Sequence, residues 1–307
     1  MGRYLARRLL QLIPVFFGAT LLIWVMVFAI PGDPIRALSG DRPMAPGTQA
    51  ALRARYNLDD PLFVQYGKYI GGLFQGDFGE TFNQRDVLDI MKERFPVTLK
   101  LSLMAFAFEG VIGILAGVLA GLRRGSYLDS LVLLSTIFVV SIPILVLGFL
   151  AQIVLGVELG WFPVAGIQDG LYGYVLPAMV LGSVSLAYIA RLLRTSLVES
   201  LGSDYVRTAT AKGLSRFRVV GRHTLRNSLI PVVTFLGVDL GQLMGGAVIT
   251  EGIFNIPGIG GEIFRATKAQ EGTTVVGIVT ALVLVYMVAN LIVDILYAIL
   301  DPRIRYD

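Results

Sequence analysis

The chain has no cysteine and a single histidine, His223, among its 307 residues. Without thiols there is no disulfide framework, no thiolate metal site and no cysteine nucleophile, and one histidine cannot build a histidine-rich metal cage. Charge is scarce as well: Asp, Glu, Lys and Arg make up 16% of the residues, against about a quarter in an ordinary soluble domain. The chain carries no Gly-x-x-x-x-Gly-Lys-Ser/Thr phosphate loop, no His-Glu-x-x-His and no Gly-x-Ser-x-Gly. Nucleotide hydrolysis and the common zinc or serine hydrolase chemistries therefore lack their residues here.

What is abundant is apolar surface. Hydrophobic residues make up 55% of the chain and the mean hydropathy is +0.71. A soluble core of this size cannot hide that much, whereas a bilayer accepts it directly. Apolar runs long enough to cross a membrane, about 20 residues each, cover Leu9–Ile30, Leu99–Leu122, Leu128–Leu155 with Pro143 inside it, Tyr174–Leu193, Leu229–Thr250 and Thr274–Leu300. Runs of this length predict a bundle of six helices rather than a barrel, whose strands alternate over about 10 residues. The first run has the basic flank of a signal peptide. It exceeds the usual apolar core of about 7–15 residues and lacks an Ala-x-Ala site, so it reads as a retained span.

The loops set the topology. Arg3, Arg7 and Arg8 precede the first span, Arg123 and Arg124 follow the second, and Arg303 and Arg305 follow the sixth. The connection between spans four and five carries Arg191, Arg194, Arg207, Lys212, Arg216, Arg218, Arg222 and Arg226, whereas Gly156–Gly173 has no Lys or Arg. This asymmetry predicts that both termini are cytoplasmic. The chain then divides into a tail and first span (1–30), an extracytoplasmic cap (31–96), a five-helix core (97–300) with a cytoplasmic loop at 195–228, and a cytoplasmic tail (301–307). Apolar residues run through the cap, among them Tyr56, Leu58, Phe63, Tyr66, Tyr69 and Phe74. Helices are expected from Pro46 to Tyr56 and from Pro61 to Phe74, with a turn at Gly76-Asp77-Phe78-Gly79.

The cytoplasmic stretch from Ser203 to Pro231 is the most informative. Ser203 or Asp204 can cap a helix over Tyr205–Lys212. Gly213 suits the left-handed position that ends it, and Ser215 can cap a second helix from Arg216 to about Leu225. A rigid elbow of this kind can seat in a groove of a soluble partner and pass its movement to the attached spans. The competing reading is a solvated basic loop that only fixes topology. A helix-turn-helix reading DNA is the lesser alternative, since the basic residues follow from membrane sidedness. Within the spans lie Glu109, Asp239, Gln242, Asn290 and Asp294. Asp239 and Gln242, with Glu251 just beyond them, are candidates for a substrate path or gate. The alternative is interhelical hydrogen bonding that only holds the bundle, with Glu109 and Asp294 as a possible pair. Gly237, Gly241 and Gly245 share one helical face, which predicts close helix approach.

Tyr205-Val206-Arg207-Thr208-Ala209-Thr210-Ala211-Lys212-Gly213-Leu214-Ser215, followed by Arg222-His223-Thr224-Leu225-Arg226-Asn227-Ser228-Leu229-Ile230-Pro231, resembles the coupling loop of the oligopeptide/dipeptide ABC-transporter permease family, B-type subunit. Further matches are Arg7-Arg8-Leu9 through Pro31-Gly32-Asp33-Pro34, Gly76–Gly79, Thr250-Glu251-Gly252-Ile253-Phe254 with Ile256-Pro257-Gly258-Ile259-Gly260, and Asp301-Pro302-Arg303. The resemblance covers essentially the whole chain. Two positions depart from the wider ABC-permease pattern. Its opening Glu-Ala-Ala is Arg207-Thr208-Ala209 here, and its Leu-Pro step is Leu225-Arg226, with proline delayed to Pro231. The reversed charge at Arg207 prevents transfer of any role for the acidic residue.

The resemblance implies an all-α, six-helix type I ABC-importer permease with an extracytoplasmic cap, in a bacterial inner membrane. It implies import of di- and oligopeptides with a second homologous permease subunit, two cytoplasmic ATPase subunits or domains and an extracytoplasmic binding protein. No cofactor is expected on this chain, since ATP and Mg would be bound by the ATPases. Arg207, Thr208, Ala209, Thr210, Ala211, Lys212, Gly213, Leu214 and Ser215 would form the ATPase-coupling site. Nickel, glutathione or haem-like solutes are the alternative cargoes. A self-contained proton-coupled carrier, with Asp239 and Glu109 as relay groups, is the alternative mechanism.

Overall fold

The computed structural model describes residues 2–28, 46–55, 59–81 and 83–300, the last nine by their backbone alone. Expectations for Pro31–Pro34, Tyr56, Leu58, Asp301–Arg303 and the side chain of Asp294 fall outside the described residues. In chain order the helices are α1 (Gly2–Phe28), α2 (Pro46–Arg55), α3 (Leu62–Leu73), α4 (Val87–Leu122), α5 (Tyr127–Ser141), α6 (Ile144–Ala151), α7 (Val175–Leu201), α8 (Asp204–Ala211), α9 (Arg216–Arg218), α10 (Leu225–Ser228), α11 (Ile230–Ile253), α12 (Ile259–Lys268) and α13 (Gly272–Leu300). Wide turns of π type at Gln152–Glu158 and Val219–Thr224 extend α6 and join α9 to α10. Lipid offers no hydrogen bonds, so a spanning segment must satisfy its backbone internally, and apolar runs of this length become helices. Among the described residues five helices are long and apolar enough to cross, and the bent pair α5–α6 adds a sixth crossing if it counts as one span.

The third span is not the single helix expected over Leu128–Leu155. It stops at Ser141 and resumes at Ile144 after a bend of 106°. Pro143 forces this: its ring disfavours helical backbone in the preceding residue, and Ile142 is extended, with φ −98° and ψ 125°. The two pieces still connect opposite ends of their unit. Asp129 at the start of α5 binds Arg194 near the end of α7. Gln152 after α6 donates to the carbonyls of Val164 and Ile253, at 2.8 and 3.1 Å. The pair is therefore one broken span.

The chain packs as two units, Met1–Val97 with Pro257–Asp307, and Thr98–Ile256. Within the first unit α13 packs with α1. The first unit also explains why α4 begins at Val87 rather than near Leu99. Val87 and Met91 lie in an apolar cluster with Ile259, Ile278 and Ala281, so the extension has its own core. Both expected cap helices form, as α2 and α3. Tyr66 and Thr20 hydroxyls are 2.9 Å apart, and the Trp24 and Tyr69 rings lie 4.9 Å apart, fixing α3 on α1. The expected turn is present: Gly76 and Gly79 have φ of 84° and 90°, and the Asp77 carboxylate accepts the Gly79 N–H at 2.8 Å. The chain reverses at Phe78, whose carbonyl faces Gly277 so closely that any side chain at 277 would run into it.

In the second unit the closest helix approach differs from expectation. A Cβ at Gly245 would meet nothing within 4 Å. The close approach belongs instead to Gly113, Gly117 and Gly121 of α4. A Cβ on each would lie 2.9 Å from Ile189, 2.8 Å from the Ala190 carbonyl and 2.9 Å from Leu197 of α7, respectively. Small residues four apart form a flat face against which a second helix can settle. At one end of this packing, Arg194 makes a two-pronged contact with Asp129, Nε at 2.9 Å and an η nitrogen at 2.8 Å. Asp129 also accepts the Gly125 N–H at 2.8 Å.

These contacts make two testable claims. Gly117→Leu places a side chain against backbone that cannot yield, so we expect a loss near or above the upper end of the roughly 1–3 kcal/mol usual for overpacking. The yield and thermal midpoint of purified protein in detergent should fall, while Gly245→Ala stays within about 0.5 kcal/mol of wild type; equal behaviour of the two variants refutes the glycine seam. Asp129→Asn leaves the half-buried Arg194 without its ionic partner and is expected to cost about 2–3 kcal/mol, less than the loss of a fully enclosed pair. Adding Arg194→Gln should recover part of that loss in the same melting assay, and strictly additive losses would show the pair to be uncoupled.

Candidate functional site

The elbow starts where α7 ends. Ser203 adopts the extended backbone of an N-cap, φ −76° and ψ 155°, and its carbonyl accepts the N–H groups of Val206 and Arg207. Its hydroxyl does not cap α8 as expected; it donates to the Ser200 carbonyl at 2.5 Å. The other end of α8 closes as the glycine predicts. Gly213 has φ +79°, its N–H reaches the Thr210 carbonyl at 2.9 Å and the Leu214 N–H reaches Ala209 at 3.3 Å. These paired bonds satisfy carbonyls that the helix end leaves free, and an apolar residue just past the glycine normally packs back on the helix. Leu214 does so, against Val206, Ala209 and Val219.

This small core divides the expected coupling residues. Ala209 is buried and Leu214 half-buried, while Arg207, Thr208, Thr210, Ala211, Lys212, Gly213 and Ser215 are exposed. Arg207 is paired 3.6 Å from Asp204, both fully in the open. Thr208 and Thr210 turn their hydroxyls back onto the Asp204 and Val206 carbonyls, each at 2.9 Å. The second arm is not the regular helix expected over Arg216–Leu225: α9 widens at Val219–Thr224 before α10. Thr224 is buried and its hydroxyl donates to the Val219 carbonyl, five residues back, at 3.1 Å. Ser228, also buried, donates to the Ser196 carbonyl at 3.3 Å and so fastens this arm to α7. Phe217 was not singled out from sequence, yet it is 89% exposed between the exposed Arg216 and Arg218. An aromatic flanked by arginines outside any apolar run was the available signal.

The candidate path residues are not brought together. Gln242 is exposed, whereas Asp239 and Glu251 are buried. The Thr98 hydroxyl donates to Glu251 at 2.6 Å, so this carboxylate holds α11 to α4 rather than facing an open path. Asp239 accepts from the Ser185 hydroxyl at 3.1 Å. Glu109 faces Asp239 across the helix packing, and neither Glu109 oxygen has a hydrogen-bond partner of normal geometry. An ionised side chain at mid-membrane costs about 2.5–3.5 kcal/mol on insertion scales, so two acidic groups placed together need a stated physical reason.

The comparisons with known proteins agree over the full length. Residues 113–306 match the family described as binding-protein-dependent transport system inner membrane component, and residues 1–102 match the N-terminal region described for membrane components of the same systems. The di/tripeptide transport system permease protein DppB of Pseudomonas aeruginosa is 42% identical, with 100% of this chain and 99% of that protein covered. The dipeptide transport system permease protein DppB of Escherichia coli K12 is 37% identical, over 100% and 99%. The glutathione transport system permease protein GsiC of the same strain is 38% identical, over 100% of both. Among solved structures, a chain of the MetNI methionine ABC transporter in inward-facing conformations shares the fold. Its TM-score is 0.56 at 18% identity, with 69% of this chain and 96% of that chain covered. An all-α chain whose described residues form five long apolar helices and one broken span, matched from end to end in this way, belongs to the family of inner-membrane components of binding-protein-dependent transport systems.

Proposed function

We propose that the chain is one permease half of an ATP-driven importer of short peptides, and that its exposed elbow receives the movement of a cytoplasmic ATPase. One observation carries the coupling role: the loop between α7 and α11 is a built object with its own core, its own helix stop and an outward-facing basic and aromatic surface. A loop that only fixes topology needs charge but no such packing. In this reading Arg207, Thr208, Thr210, Ala211, Lys212, Gly213 and Ser215 meet the ATPase, while Ala209 and Leu214 keep the elbow rigid. Phe217, between Arg216 and Arg218, is an added anchor of the kind found at interface centres. ATP and Mg belong to the ATPase chains, two in number, and a second homologous permease completes the pathway. A substrate-binding protein delivers cargo on the opposite face. The arginine distribution places the elbow and both termini in the cytoplasm.

The relatives' names support short peptides as cargo. Glutathione is itself a small peptide, and full coverage of a glutathione permease favours it as the second reading. The test is uptake of a radiolabelled dipeptide and of labelled glutathione by cells lacking this chain. Dipeptide uptake should fall to background and return with the wild-type chain. Loss of glutathione uptake alone would select the second reading, and loss of neither would end both. Removing the ATPase genes separates this mechanism from a self-contained carrier, which would continue to transport.

The coupling claim has its own outcome. Gly213→Val forces a β-branched residue into left-handed backbone, at a cost of at least about 1–2 kcal/mol. The variant chain should assemble with its partners, yet uptake should fall by about 5–30-fold, the factor that such an energy sets on a two-state equilibrium. Stimulation of ATP hydrolysis by loaded binding protein should fall with it. Unchanged stimulation would show that the elbow's shape is not what the ATPase reads.

A further inference from the structure

Three helices of the second unit bring acidic and hydroxyl groups to one enclosed place: Glu109 from α4, Ser185 from α7 and Asp239 from α11. Glu109 is 0% and Asp239 3% exposed. The Ser185 hydroxyl occupies one Asp239 oxygen. The other Asp239 oxygen and both Glu109 oxygens have no hydrogen-bond partner. Gly182 of α7 packs against this stretch of α4: a Cβ at 182 would lie 2.9 Å from the Ala105 carbonyl and 3.3 Å from a Glu109 carboxyl oxygen.

Nothing of opposite charge faces the pair among the described residues. On α7, Arg191 donates to the Ala187 carbonyl at 3.3 Å and lies over the Tyr188 ring, and Arg194 is taken by Asp129. On α4, Lys100 is exposed more than two turns away. At the start of α4, Lys92 pairs with Asp89 and Arg94 donates to the Pro257 carbonyl. The remaining acids on the packed elements are Glu251, bound by Thr98, Asp129, held by Arg194, and the exposed Glu93 of α4, Glu199 near the end of α7 and Glu158 beyond α6. Ser185, which holds Asp239, lies one turn from Gly182, against which Glu109 packs. Two carboxylates placed together without a cation cannot both stay ionised in a water-poor interior. Two carboxyls and a hydroxyl also give too few oxygens for a hard divalent cation, which takes about six to eight. A proton meets every requirement. It removes one charge, and it turns an acceptor-only group into a donor for its neighbour.

We propose that Glu109 and Asp239 together form a proton-binding site that holds one proton while α4, α7 and α11 are packed. The O–H of one carboxyl donates to the other, and the proton belongs to the pair rather than to either residue. Parting of α4 from α11, or entry of water between them, removes the neighbour and frees the pair to ionise. Helix movement and proton release are thereby linked. The proposal rests on the packing of this chain and not on the cargo it carries.

The test is infrared difference spectroscopy on the full chain with its partner subunits in lipid at neutral pH. The wild type should show the C=O stretch of a protonated carboxylic acid. That band should vanish or move in Glu109→Gln and move in Asp239→Asn, because burial keeps the remaining carboxyl neutral while its O–H loses the carboxylate that accepted it. A band left unchanged by either substitution belongs to another residue or to an uncoupled carboxyl and overturns the proposal. So does a spectrum in which Glu109→Gln removes only a carboxylate signal. Should either variant fail to fold, isotope labelling of the carboxyl carbons of Glu or Asp in the wild type assigns the band without mutation. A wild type with carboxylate signals alone refutes the site.

Discussion

The close approach of α4 to α7 is the constraint on which the second unit depends. In lipid, burial of apolar side chains gives no net drive toward association, because the tails are as apolar as leucine. What remains is dispersion across a tight contact and a few polar bonds. Gly113, Gly117 and Gly121 let α7 settle until the Ala190 backbone meets α4 with no room for a methyl group. That depth brings Ile189 and Leu193 into one core with Val232 of α11. It also brings Glu109 under Gly182, within reach of Asp239. The glycine seam thus sets both the packing of three helices and the position of the acidic pair.

Much of the architecture was legible because the bilayer imposes a simple rule. Long apolar runs become helices, and arginine-rich loops collect on one side. The left-handed stop at Gly213 and the turn at Gly76–Gly79 were readable for a local reason: positive φ selects glycine wherever the chain demands it. The misses share a different cause. The seam of Gly113, Gly117 and Gly121 shares its spacing with Gly237, Gly241 and Gly245, and spacing alone does not say which helix each face meets. Pro143 showed that something happens in the third span, but a bend of 106° depends on what the second piece packs against. Ser203 and Ser215 are in cap positions without capping hydrogen bonds, because a short polar side chain can serve several nearby carbonyls equally well. The bond from Thr98 to Glu251, 153 residues apart in sequence, joins α4 to α11 in a way no local pattern shows.

The first unit solves a separate problem. Its helix α1 leaves Leu10, Leu22 and Met26 in the open and buries Trp24 and Thr20 against α3. The small cap therefore takes its anchorage from the polar and aromatic minority of a lipid-length helix. The Tyr69 hydroxyl reaches the Val276 carbonyl at 3.4 Å, and the Thr273 hydroxyl reaches the Glu80 carbonyl at 3.2 Å, adding α13 to the same attachment. In α12, Arg265 joins Glu262 and Glu271 at 2.5 and 3.5 Å, which neutralises two enclosed carboxylates. The contrast with Glu109 and Asp239 is physical. Glu262 and Glu271 share a cation, whereas Glu109 and Asp239 have none facing them among the described residues.

The delayed proline at Pro231 has a local physical reason. A proline five residues earlier, at 226, would fall inside α10, just past the wide turn that ends at Thr224, where its ring would clash with the preceding turn. At 231 it sits in the first turn of α11, where a missing N–H costs nothing. The Leu229 N–H still reaches Leu225, and the Val233 N–H still reaches Leu229, at 2.9 and 2.8 Å. Hydrogen bonds on both sides of Pro231 thus join α10 to α11. In the proposed coupling, a push on the Gly213 end would pass the Ser228 fastening into α11, the helix whose Asp239 is held to α7 by Ser185.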